Sequence, residues 1–104
     1  MELEKLVAEV KGRIESGDPG EIDEIAKKLH ELYPAKGFYH DYISEYKSIL
    51  DIVDRAAADP DDMARLILFS FAVFDCNKHQ IAYPAVKEAL GIDILIKKYA
   101  SDGN

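Results

Sequence analysis

The run Leu66-Ile67-Leu68-Phe69-Ser70-Phe71-Ala72-Val73-Phe74 carries one hydroxyl and no charge in nine residues. Immediately upstream stands Asp59-Pro60-Asp61-Asp62. Asp59 suits an N-cap, Pro60 the first helical position, and the two acids that follow face the positive end of a helix dipole. The pair of signals reads as a helix over residues 60–76, not as a strand. Its apolar residues run all the way round, which is the pattern of a helix buried on every side. The rest of the chain is therefore expected to be wrapped around it.

Working back from this helix, Tyr39, Ile43, Tyr46, Leu50, Val53 and Ala57 step by four and three residues. That spacing predicts one long helix from about Phe38 to Ala58 with those residues as its seam, flanked by Tyr42, Ile49, Ile52 and Ala56. Leu3, Leu6, Val7, Val10 and Ile14 predict a first helix over Glu2–Ser16, with Gly12 as a weak point or a place for close helix contact. Asp18-Pro19-Gly20-Glu21 repeats the capping device, and Ile22, Ile25, Ala26, Leu29, Leu32 and Tyr33 give a second stripe that Pro34 ends. Downstream, Asp75–Gln80 reads as a polar loop or frayed helix end and Ile81–Tyr83 as extended. Pro84 opens a last helical segment that Gly91 either passes through or splits. Ser101–Asn104 reads as a loose tail. Short connections at both Asp-Pro junctions make antiparallel neighbours. The expected fold is all-α: a compact five-helix bundle of two helical hairpins and a C-terminal helix, in a single domain over residues 1–104.

With 104 residues the chain is long enough to bury roughly 65% of its unfolded surface, so it needs neither metal nor disulfide to fold. Thirteen basic residues against twenty acidic ones give a net charge of -7. Such a surface repels phosphate backbones and anionic lipid, which argues against nucleic acid and membrane as partners. One cysteine, Cys76, leaves no internal disulfide and suits a reducing cytoplasm. The acidic start Met1-Glu2-Leu3-Glu4-Lys5 is not that of a signal peptide, and the apolar runs fall short of the ~20 residues of a membrane span.

Chemistry-bearing residues are few. Cys76 and His79 stand three apart, close enough to share one face of a helix end. As a nucleophile pair they lack a basic or glycine-rich surround except Lys78. As zinc ligands they lack partners in sequence, since zinc takes three or four and His30 and His40 are reachable only through the fold. A structural thiol and a surface imidazole is the simpler reading. Between Asp41 and Asp62 lie seven acids against two bases, but without the alternate spacing, central glycine and final Glu of a calcium loop. They read as helix caps and a solvated face. Six tyrosines divide between core and surface, with Tyr42 the best placed for recognition. No phosphate-binding glycine loop, nucleophile elbow or His-Glu-x-x-His occurs. No catalytic residue, metal ligand or cofactor is expected.

Ala85-Val86-Lys87-Glu88-Ala89-Leu90-Gly91-Ile92 resembles the first helix and turn of a helix-turn-helix. The resemblance covers eight residues. It departs from the pattern at Lys87, where a small residue is usual, and at Lys97, where an apolar one is. It implies a nucleic-acid-binding regulator using residues 84–100, with Lys97 and Lys98 as its contacts.

Three functions are thus in view. The leading one is a cytoplasmic protein-interaction or regulatory module without catalysis, probing its partner through Tyr42, Ile49, Leu90 and Ile94 and forming a homodimer there. The others are the helix-turn-helix regulator and a small enzyme or metal protein centred on Cys76 and His79.

Overall fold

The Asp59 carboxylate accepts hydrogen bonds from the backbone N–H groups of Asp61 (3.0 Å) and Asp62 (3.2 Å), which starts the central helix where the sequence says it should. The computed structural model describes residues 2–17 and 22–100. Over these the protein is all-α, with α1 Glu2–Ser16, α2 Ile22–Leu32, α3 Ile43–Leu50, α4 Val53–Ala56, α5 Pro60–Phe74, α6 Tyr83–Leu90 and α7 Ile92–Tyr99. The expected cap at Asp18–Glu21 and tail at Ser101–Asn104 lie outside the described residues. Seven helices replace the expected five because two predicted helices are each broken in two. The central helix also ends two residues early, at Phe74 rather than residue 76, followed by turns to Gln80.

All six other helices pack against α5. Ala64, Leu66, Leu68, Phe69, Ala72 and Val73 supply its buried surface. α1 meets it with Leu3, Leu6, Val7 and Val10, α2 brings Ile25, Ala26 and Leu29 to the same core, and α6 and α7 add Val86, Leu90, Ile92 and Leu95. The radius of gyration is 13.1 Å, the size of a folded chain of this length. No helix among the described residues is long and apolar enough to cross a membrane.

The predicted helix from Phe38 to Ala58 is corrected at both ends of its first half. Residues 33–42 are not helical, because their backbone is bonded elsewhere. Ala35 N–H donates to the Gln80 carbonyl (2.8 Å) and Ala82 N–H to the Tyr33 carbonyl (2.7 Å), around an isolated bridge between Pro34 and Ile81. Asn77 then clamps Tyr39 reciprocally: its Oδ1 accepts from Tyr39 N–H (2.8 Å) and its Nδ2 donates to the Tyr39 carbonyl (3.0 Å). A backbone satisfied in this way has nothing to gain from an extra helical turn. A second break comes at Asp51–Ile52, where Arg55 bridges the carbonyls of Asp51 (2.9 Å) and Tyr99 (2.6 Å). The heptad seam is also one position out. Ile49, Ile52 and Ala56 are buried, whereas Ile43 and Leu50 face outward at 47% and 51% exposure.

Gly91 splits the last segment. It sits in the left-handed region at φ 70°, ψ 36°, so it closes α6 and opens α7 with no other connecting residue. Gly12, by contrast, allows no close contact: a Cβ placed there would meet nothing within 4 Å.

Candidate functional site: the open face of α5

α5 is apolar on every side but not covered on every side. Met63, Ile67, Ser70 and Phe74 recur at steps of four, three and four, so they form one stripe along the helix. Met63, Ile67 and Ser70 are half-buried, and Phe74 at its end is 51% exposed. On one side of the stripe α1 and α2 form an open cavity of about 480 Å³ with Val10, Arg13, Ile14, Gly17 and Ile25 as its wall and Ile67, Ser70 and Phe71 as its floor. On the other side a shallower groove of about 80 Å³ is walled by Tyr46, Ile49, Leu50 and Val53 of α3 and α4, with Met63, Leu66, Ile67 and Ser70 beneath. Ile67 and Ser70 belong to both, so the two depressions are one continuous surface across α5. The Phe74 ring lies 4.3 Å from that of Tyr46, which extends it to the helix end.

Charge is nearly absent from this surface. Among the described residues Arg13 is the single charged one lining it, and its guanidinium donates to Glu9 at 3.0 Å. Two other surface depressions are different: one is lined by Asp51 and Arg55, another by Glu2, Lys5, Glu9, Lys28 and Glu31. Ser70 looks like a polar interruption, but its hydroxyl donates to the Ile67 carbonyl at 2.7 Å and so presents little unmet polarity.

No protein-family model, curated protein or solved structure matches this chain.

The four residues expected at an interface separate. Leu90 is a core residue at 2% exposure, and Ile49, at 4%, shows only its edge in the groove beside α5. Tyr42 precedes α3 and is half-buried against the core. Ile94 is exposed at 71%, between the exposed charges Asp93 and Lys97–Lys98. A lone apolar residue in such surroundings is ordinary surface. What the sequence reading missed is the face made by Ile67, Ser70 and Phe74. Its signal was present: a helix apolar all round demands a complete coat, and the exposed Ile43 and Leu50 belonged to the coat that was counted.

Cys76 and His79 do not act together. Cys76 is fully buried. Burial pushes its thiol up, away from the thiolate that a nucleophile or metal ligand needs, and outweighs the lowering by neighbouring backbone hydrogen bonds. His79 points instead toward Asp75 and Asp23. His30 is not part of that group, since its Nδ1 lies 2.7 Å from the Gln80 carbonyl oxygen.

Nor do residues 84–100 form an open basic helix. One residue, Gly91, connects α6 to α7 where a helix-turn-helix has three or four. Lys87 is paired with Glu45 at 2.8 Å, and Lys98 donates to Asp62 at 2.7 Å. Asp62 is buried and also accepts from the Tyr99 hydroxyl at 2.5 Å. Burial alone would raise its carboxyl, but the hydrogen bonds from Lys98 and Tyr99 with the charges of Lys98 and Arg65 outweigh that and hold it below the usual range. This cluster ties the C-terminal helix to the start of α5.

Proposed function

We propose that this chain is a small acidic interaction module without catalysis of its own, and that its first partner is a second copy of itself, docked on the open face of α5. The observation that carries the reading is the continuous, nearly uncharged surface from Ile14 across Ile67 to Phe74 and Leu50. Contiguous apolar surface of this kind marks interaction sites in soluble proteins. The choice of a second copy rests on charge. The outer surface is strongly acidic, so two chains repel wherever their charged faces meet. Among the described residues this face has one charged residue and that residue is already paired, so a twofold arrangement brings two such faces together without burying an unpaired charge from them. The buried, neutral Cys76 suits a reducing compartment such as the cytoplasm.

Light scattering over the micromolar range tests the reading. The expected mass is twice 11.7 kDa, falling toward 11.7 kDa on dilution. A mass of 11.7 kDa throughout that range would overturn it.

A further inference from the structure

His79 follows Asp75 by one helical turn, and its backbone N–H donates to the Asp75 carbonyl at 2.8 Å. That turn places the two side chains on one face. The loop carrying them lies against the beginning of α2, where Asp23 stands in the first turn. The imidazole sits between two carboxylates: Nδ1 is 3.5 Å from Asp75 Oδ2 and Nε2 is 3.8 Å from Asp23 Oδ1. Both distances exceed those of a good hydrogen bond, about 2.7–3.2 Å. His79 Nδ1 is nevertheless buried, and among the described residues it has no hydrogen-bond partner. A buried polar atom left unsatisfied calls for an explanation, and an ion is one of the few that also accounts for a carboxylate on either side of the ring.

We propose that Asp23, Asp75 and His79 form a site for a divalent first-row transition ion of the zinc type, which ties α2 to the loop after α5. One ligating atom from each residue lies within 4.8 Å of the others. Ligands at about 2.0–2.2 Å from a tetrahedral zinc are roughly 3.3–3.5 Å apart, so the three need to close by up to about 1.5 Å. Asp23, an exposed side chain on the surface of α2, is free to make that movement. Two carboxylates offset the ion's charge, and three protein ligands leave a position open to water or a further ligand. The imidazole selects against calcium and magnesium, which take oxygen ligands. Lys78 is the competitor: its ammonium lies 3.7 Å from Asp23 Oδ1, in an exposed pair of little strength. It has to release Asp23 when the ion enters. The site is independent of the α5 face, whose lining shares none of these residues.

Calorimetric titration of the full, untagged chain with zinc chloride tests this, with magnesium chloride as the control. The expected result is one zinc per chain, no magnesium heat, and a melting temperature that zinc raises. Asp23→Asn and His79→Ala should each weaken binding about tenfold or more, as loss of a ligand from a three-ligand site requires. Lys78→Ala should tighten it. Asp23 and Lys78 are exposed, so those variants keep the fold, which far-ultraviolet circular dichroism checks. Absence of saturable zinc binding to the wild type would overturn the proposal. So would zinc affinity left unchanged by both Asp23→Asn and His79→Ala, which would place the ion on other surface residues.

Discussion

Phe69 is 1% exposed at the middle of α5, with the Tyr83 ring 6.4 Å away. Truncating it leaves a cavity that the surrounding helices cannot close, so Phe69→Ala should cost about 3–5 kcal/mol in urea denaturation, a large share of a typical total of 5–15. A loss under about 1 kcal/mol would mean that the ring is not in a closed core. Cys76 makes a different kind of prediction. Its thiol is buried and held in the neutral form, so it should react with thiol reagents only as fast as the protein opens. Labelling of the folded chain as fast as of the urea-unfolded chain would contradict this. Asp62 gives a pH dependence. Its folded carboxyl lies below its ordinary value of about 3.9, so its contribution is fully present above that value and is lost as pH falls through the folded one. Wild type should therefore exceed Asp62→Asn in stability at pH 7, and the gap should narrow below about pH 4. A gap constant from pH 7 to pH 2 would rule out the charged contact with Lys98 and Tyr99. The Asp62 contacts were not visible from spacing alone: Asp62 read as a helix-start acid, and its partners lie 36 and 37 residues away.

Elements were legible where a single local signal governs them. α1 has the ends its stripe predicts, α5 starts at its Asp-Pro cap, and Gly91, left open between continuing the last helix and splitting it, splits it in the left-handed conformation. The long third helix was misread because its beginning is governed by tertiary hydrogen bonds. Asn77, nearly forty residues downstream, holds the backbone of Tyr39 and keeps 33–42 out of the helix. The seam was misread for a related reason. A band of apolar residues wider than one stripe fits two rotations of the helix, and only packing against α5 selects Ile49, Ile52 and Ala56 for the inside. Gly12 supplies an element-scale prediction. It lies inside α1 with open space where a Cβ would be, so Gly12→Ala should stabilise the protein by about 0.5–1 kcal/mol. A destabilised variant in thermal unfolding would show that the backbone there is approached after all.

At the scale of the molecule, six helices coat a seventh and leave one stripe of it open. The sequence made the central helix evident and pointed to apolar surface in excess of what one chain can cover. It placed that excess at Tyr42, Ile49, Leu90 and Ile94, of which Ile49 and Leu90 are buried, while Ile67 and Phe74 stay at the boundary. Placing the excess requires the arrangement of α1 and α3 on either side of α5, which no periodicity encodes. The open face also accounts for the choice of test residues. Phe74 ends α5, where a cation is favourable to the helix, so Phe74→Lys removes the apolar ring with little harm to the fold. Ile94→Lys changes an apolar residue that is more exposed still and lies among charged neighbours, outside the lining of both depressions. Sedimentation equilibrium on wild type and these two variants is the most direct measurement. Wild type and Ile94→Lys should share one dimer dissociation constant, and Phe74→Lys should weaken it by about thirtyfold or more, the effect of losing an aromatic anchor worth about 2 kcal/mol. A Phe74→Lys chain that dimerises as tightly as the wild type would contradict the account.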